Sequence, residues 1–166
     1  MYFTEIAASL YAWDLADEGV VRCLDNLQSL AGVNSTYLVA AMHNEKRPLH
    51  QRHYPHNPVR KYYTPEDSRV YFRTHAEFYE NTRLKPYHSE RDFLRDTDWL
   101  DVLIEEARKR GMKTGAELSH TIFPAEPLEK EFPDTLQRNI YGEIISNRLM
   151  CMNNSDARNY TIGLFA

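Results

Sequence analysis

Acidic and imidazole side chains collect where three apolar stretches of the sequence end. They are Asp14 after the first stretch, His43 and Glu45 after the second, and Glu117 and His120 at the end of the third. Such side chains carry most general acid–base chemistry near neutral pH, so these positions are candidates for catalysis or for binding a polar ligand. The alternative for the charged groups after the second stretch is a solvated loop with an ordinary surface ion pair.

Glu117 is the predicted catalytic residue. It is expected to face inward at the end of a strand, and an inward carboxylate is costly to bury unless it binds something. The alternative is an ion pair between Glu117 and a Lys or Arg of a neighbouring strand. Glycoside hydrolysis requires two carboxyl groups about 5 Å apart or somewhat more, and Asp14, Glu45 and Glu117 are the carboxylates at the strand ends.

The aromatic content favours a carbohydrate as the ligand. Eleven Tyr and two Trp are present, many of them in loops beside His, Arg and Asn. Aromatic faces stack on sugar rings while polar side chains bond the hydroxyls. Trp13 is therefore a predicted stacking residue, unless it packs under the first loop. His43 and His120 are predicted to bond sugar hydroxyls, unless they are structural, and Asp14 and Glu45 complete the predicted substrate-binding set.

The first half of the chain predicts a strand, a helix and a second strand. Residues 4–11 alternate as a strand, and residues 12–19 are expected to form a polar turn. Apolar residues then recur at helical spacing until Gly32, which is expected to end a helix over 20–31. An almost continuous apolar run over 34–42 is typical of a parallel strand that is covered on both faces.

The second half repeats this order with longer loops. Residues 43–95 are rich in proline and lack periodicity, so they are expected to form a long ordered loop. Asp98 and its neighbours predict the start of a helix that ends at Gly111. Residues 113–120 form the predicted third strand, with Gly115, Glu117 and Ser119 facing inward. Another loop over 121–149 leads to a capped helix that begins within 151–158.

This alternation predicts a parallel α/β fold. An open doubly wound sheet would carry a phosphate-binding glycine turn after its first strand, and residues 12–19 contain none. A (β/α)8 TIM barrel instead builds its site from long loops after the strands and needs about 250 residues. We therefore expect residues 1–166 to be the N-terminal portion of such a barrel, about three βα units with long loops after strands 2 and 3, whose partner is the remainder of the barrel.

Several stretches of the sequence resemble the N-terminal region of uncharacterised glycoside hydrolase-like TIM-barrel proteins. Ser155 stands where that group has proline, which weakens a preference for starting a helix. The resemblance implies carbohydrate chemistry whose acid/base carboxylate follows the fourth strand, with its partner after a later strand, both beyond Ala166. The matching stretches are residues 13–19 (WDLADEG), 37–43 (YLVAAMH), 54–58 (YPHNP), 113–117 (KTGAE) and 151–158 (CMNNSDAR).

The expected function is thus that of a glycoside hydrolase-type domain that acts on a polysaccharide or oligosaccharide without cofactor or metal. One alternative is a metal-dependent TIM-barrel sugar isomerase or nuclease-like enzyme, which would use His43, Glu45, Glu117 and His120 with the loop histidines His50, His53 and His56. The other is a non-catalytic carbohydrate-binding module on a degenerate barrel.

Composition argues against two other classes of partner. The net charge is −4 and the basic residues are dispersed, so no nucleic-acid partner is expected. The apolar runs are shorter than the roughly 20 residues of a membrane helix, and residues 1–5 do not begin a secretion signal, so a soluble chain with no membrane partner is expected.

Overall fold

A parallel three-stranded sheet forms the centre of the fold. A computed structural model describes residues 4–42, 49–50, 57–59, 62–63, 69–88, 92–118, 130–145 and 149–166. The strands lie in the order β1 (Ala7–Tyr11), β2 (Ser35–Val39) and β7 (Lys113–Glu117), all parallel. The chain therefore has a mixed α/β fold, as the alternation of apolar stretches predicts.

Helices connect the strands and begin and end at residues suited to those positions. The helices are α1 (Ala12–Glu18), α2 (Val20–Ala31), α3 (Asp92–Arg95), α4 (Trp99–Lys109) and α5 (Ser155–Phe165). Gly32 ends α2 with a left-handed φ of 63°, and the Asp98 side chain caps α4 by accepting from the backbone nitrogen of Asp101. The predictions of α2 and α4 are thus confirmed. None of the described helices is long and apolar enough to cross a membrane.

Short elements occur within the two predicted loops. Two-residue antiparallel pairs join β3 (Ala41–Met42) to β6 (Arg69–Val70) and β4 (Leu49–His50) to β5 (Tyr62–Tyr63). Short 3-10 helices span Ala76–Tyr79 and Pro133–Thr135. The loops after β2 and β7 are therefore partly ordered by local pairing.

The first hydrophobic core lies between the sheet and helices α2 and α4. Leu10 and Leu38 point from adjacent strands to one face and are fully buried, together with Leu24 of α2 and Leu103 of α4. The opposite face carries Ser9, Tyr37, Gly115 and Glu117, and these residues are only partly buried. The face that was predicted to be inward is thus the face away from α2 and α4.

A second core lies beyond the carboxyl ends of the strands, where α5 packs on the 3-10 helix Ala76–Tyr79. Tyr79 and Tyr160 are buried with ring centroids 5.9 Å apart, and burial raises the pKa of Tyr79 to about 12. Burial also raises the pKa of Tyr160, so both hydroxyls stay protonated and both rings serve as packing groups. The other buried members are Ala41, Val70, Leu84, Met150, Ala157 and Leu164.

The prediction of a polar turn over residues 12–19 is wrong. Residues 12–18 form helix α1, and Gly19 follows it. Ala12 and Leu15 are buried, while the Asp14 carboxylate accepts the backbone N–H of Tyr11 at 3.0 Å and closes the first turn. Gly19, with a φ of 86°, separates α1 from α2. A short helix whose first turn is buried on all sides thus takes the place of the expected turn.

Strand lengths correct the predicted boundaries. The run over 34–42 divides into β2, which ends at Val39, and β3, which turns to pair antiparallel with Arg69–Val70. The first strand begins at Ala7 because the backbone nitrogen of Ile6 bonds the side chain of Asn34. The third strand ends at Glu117, and residues 119–120 of the prediction lie outside the described residues.

The ring of Tyr37 packs closely on the backbone of Gly115 in the middle of the sheet. Tyr37 and Gly115 are partners across β2 and β7. A Cβ atom added at Gly115 would lie 2.7 Å from the Tyr37 ring. Glycine at this position therefore leaves the space that the ring occupies.

An arginine joins three segments around the second core. The Arg83 guanidinium bonds the carboxylates of Asp134 and Asp156, each at 2.6 Å, and its carbon lies 5.0 Å from the Phe132 ring centroid. The Arg83 backbone N–H also donates to Asp156 at 2.8 Å. This arginine cluster (Arg83, Asp134, Asp156) holds the 3-10 helix Pro133–Thr135 and the first turn of α5 against the segment after Tyr79.

We expect the arginine cluster to stabilise the protein in a pH-dependent way. Hydrogen bonds from Arg83 lower the pKa of Asp134 and of Asp156 below the ordinary value of 3.8. A carboxyl with a lowered folded-state pKa contributes stability that is fully present above 3.8 and is lost as the pH falls through the lowered pKa. Arg83→Gln should therefore reduce the free energy of unfolding at neutral pH, and the difference from the parent should shrink in acid.

Chemical denaturation of both proteins across this pH range measures the effect. Arg108→Gln is the matched control, because Arg108 is exposed on α4 and no ion pair of its guanidinium is found among the described residues. A difference between the Arg83 variant and the parent that stays constant from neutral to acidic pH would contradict the assignment.

Candidate functional site

The carboxyl ends of the three parallel strands form one row of side chains. Tyr11, Val39 and Glu117 are partners across the sheet and point to the same face. Tyr11 and Val39 are buried, whereas Glu117 is partly exposed. Since adjacent strands lie about 4.8 Å apart, the Cα atoms of Tyr11 and Glu117 are roughly 10 Å apart.

Asp14 follows Tyr11 by three residues, in the first turn of α1, and is 1% exposed. One carboxylate oxygen accepts the Tyr11 backbone N–H at 3.0 Å, and the other accepts from Nδ2 of Asn57 at 3.0 Å. Hydrogen bonds of this kind hold a buried carboxylate in place and offset its loss of water. Asp14 thus ties the end of β1 to the loop that contains Asn57.

The amide of Asn57 bridges two acids of α1. Its Nδ2 donates to Asp14 and to Oδ2 of Asp17, each at 3.0 Å, and its Oδ1 accepts the backbone N–H of Val59 at 2.9 Å. All of the amide's hydrogen-bonding groups are therefore used. The bridge fixes residues 57–59 over the start of α1.

Three aromatic rings pack beside this bridge. Trp13 stacks on Tyr11 with centroids 4.3 Å apart and planes 13° apart, and it meets the edge of Tyr71 at 6.3 Å. Trp13 is 1% exposed. This position corresponds to the alternative in which Trp13 packs under the first loop, so its contribution to ligand binding would be to support the residues around it.

The structure brings together only part of the predicted site. Trp13 and Asp14 lie together in α1, and Glu117 lies two strands away at the same end of the sheet. His43, Glu45 and His120 lie outside the described residues, as do His53 and His56. Among the residues that the structure does describe, no three His, Cys, Asp or Glu side chains group as metal ligands would.

Asn57 is the site residue that residue types and spacing did not single out. Its place in an Asn57-Pro58 dipeptide is the available signal, because Asn before Pro favours a turn in which the side chain bonds the backbone two residues on. The bond from Val59 to Asn57 is of that kind. The contact to Asp14 spans 43 residues, and no local pattern predicts it.

The arrangement places the partly exposed carboxylate of Glu117 at the strand ends. Asp14 is committed to hydrogen bonds, while Glu117 occupies the less covered face of the sheet at its carboxyl end. Strand ends of parallel sheets are where α/β proteins bind ligands. Glu117 is therefore the residue of this site best placed to meet a ligand.

The fold and this strand-end site define an α/β protein with a candidate ligand site at the carboxyl edge of its parallel sheet. Comparisons with protein-family models, with curated protein sequences and with solved structures find no match to this chain.

Proposed function

We propose that the chain is part of a glycoside hydrolase-type, carbohydrate-active domain in which Glu117 takes part in binding or cleaving a glycan. The observation that supports this most is the position of Glu117, partly buried at the carboxyl end of β7 on the face away from α2 and α4. A carboxylate at such a place can transfer a proton or hold a sugar hydroxyl.

We also propose that the sheet is the first part of a (β/α)8 barrel. Sequential parallel strands in the order β1, β2, β7 with helices on one face are what three successive units of a barrel would form. The opposite face, which carries Ser9, Tyr37 and Gly115, then corresponds to the barrel interior. The remaining units would supply the other catalytic carboxylate.

The test is a screen of the full-length protein for hydrolysis of aryl glycosides and oligosaccharides, with and without a chelator. We expect activity that resists chelation, because one carboxyl group transfers a proton while the other attacks the sugar or activates a water, and no metal is required. Glu117→Gln should lower kcat/KM at least tenfold if the carboxylate acts in the transition state. Glu105→Gln, on the exposed face of α4, is the control and should leave kcat/KM unchanged.

Other results of the screen would replace the proposal. Activity that depends on a bound divalent ion would favour the sugar isomerase or nuclease-like alternative, in which carboxylates and imidazoles are metal ligands. Glycan binding without any turnover would favour a non-catalytic module. A Glu117→Gln variant with the parent's kcat/KM would remove Glu117 from the mechanism.

A further inference from the structure

A surface cavity of about 150 Å³ opens beside the strand-end site. It lies between residues 70–73, which follow β6, and residues 94–98, which lead into α4. Its floor includes the buried side chains of Val70, Tyr71 and Leu94, each 2% exposed. The polar groups around it are Arg73, His88, Arg95, Asp96, Thr97 and Asp98.

The cavity lies at the same end of the sheet as Glu117. The backbone nitrogen of Tyr71 donates to the carbonyl of Ala40, directly after β2, at 2.9 Å. The Tyr71 ring also packs at a right angle to the ring of Trp13. A ligand that extends along the carboxyl edge of the sheet could therefore reach both places.

The two acids around the cavity are already engaged. Asp98 accepts the backbone N–H of Arg73 at 2.7 Å with one oxygen and that of Asp101 at 3.0 Å with the other. Asp96 pairs with its neighbour Arg95 at 3.5 Å, and both side chains are more than half exposed. An exposed pair of this kind holds its partners weakly and yields readily to a better one.

Arg73 is the uncommitted cation of the cavity. Within the described part of the chain, no carboxylate lies within ion-pair distance of its guanidinium, although Asp98 fixes its backbone. The hydroxyl of Thr74, the residue after Arg73, lies 3.1 Å from Nε2 of His88 and holds this imidazole in place. An arginine whose backbone is held in place and whose guanidinium has no ion pair among the described residues is suited to bidentate binding of an oxyanion.

We propose that this cavity binds an oxyanion through Arg73 and that, in the proposed carbohydrate function on which this assignment rests, the oxyanion is the carboxylate of an acidic sugar residue. A volume well below the roughly 300 Å³ of a typical ligand pocket fits one small group. The substrate class would then be an acidic glycan.

The test is calorimetric titration of the full-length protein with cellobiouronic acid, with its neutral counterpart cellobiose, and with inorganic phosphate. We expect the acidic disaccharide to bind at least tenfold more tightly than the neutral one. Arg73→Gln should remove that preference, because glutamine keeps the backbone N–H to Asp98 but lacks the charge. Arg108→Gln, an exposed arginine of α4, should keep it.

The outcomes separate this inference from the proposed function. Equal binding of the acidic and neutral disaccharides, or a preference that survives Arg73→Gln, would overturn the acidic-glycan assignment while glycan binding stands. Phosphate binding as tight as that of the acidic disaccharide, and lost in Arg73→Gln, would keep the oxyanion site but overturn its assignment to a sugar. Phosphate binding with no binding of either disaccharide would also overturn the assignment to a sugar, whereas failure of the hydrolysis screen is what overturns the carbohydrate function.

Discussion

Asp14→Ala is expected to lower the free energy of unfolding by roughly 2 to 6 kcal/mol, about 1 to 3 kcal/mol for each buried donor left without an acceptor. Donors to this carboxylate include the backbone N–H of Tyr11 and the side-chain amide of Asn57, each at 3.0 Å. At 1% exposure Asp14 leaves no route for water to replace it directly. The loss should appear in chemical denaturation as a lower midpoint with an unchanged slope.

Two further variants define what Asp14 contributes. Asp14→Asn keeps one acceptor oxygen and should fall between the parent and the alanine variant. Glu105→Ala, at an exposed position of α4, should change stability by no more than about 0.5 kcal/mol. If Asp14→Ala were as stable as the Glu105 control, the carboxylate would not hold Tyr11 and Asn57 as described.

Gly163→Ala should destabilise the protein by about 1 to 3 kcal/mol, the usual cost of an extra methyl group in a packed core. An added Cβ would lie 2.8 Å from the Tyr79 ring and 2.9 Å from the backbone oxygen of Phe78. The ring can shift but the carbonyl oxygen is held by the 3-10 helix. The expected sign is opposite to helix propensity, which favours alanine over glycine by about 1 kcal/mol in a helix interior.

Thermal unfolding of the variant provides the measurement. Ile162→Ala, one residue earlier in α5 and 58% exposed, is the control and should shift the midpoint much less. A stabilising Gly163→Ala substitution would mean that α5 does not approach the 3-10 helix Ala76–Tyr79 this closely.

Local signals explain which elements the sequence predicts. Helices α2 and α4 carry several turns of helical periodicity, and a glycine with positive φ follows each within two residues, so their positions follow from the sequence. The seven residues of α1 are too few for a period, and that helix depends on burial of Trp13 and Asp14 against distant partners. The two-residue strands β3 to β6 are shorter than any pattern of alternation.

The candidate site divides in the same way. A carboxylate at the end of an apolar stretch is visible in the sequence, and the structure places Glu117 at the end of β7. The commitment of Asp14 to Asn57 is not visible, because a hydrogen bond between residues 43 positions apart depends on how the intervening loop folds back. The burial of Trp13 is not visible for the same reason, since its ring packs on the distant Tyr71 as well as on Tyr11. Its role in ligand binding stays a prediction.

The space that Gly115 leaves for the Tyr37 ring also protects the sheet against slipped pairing during folding. Shifting β7 by one residue would turn Glu117 towards α2 and α4, into the apolar core. Shifting it by two residues would keep the faces but place the side chain of Lys113 or Glu117 where the ring needs an empty position. The first shift is opposed by the cost of burying the Glu117 carboxylate, and the second by a clash with the Tyr37 ring. Gly115 and Glu117 together therefore favour one alignment of β7 with β2.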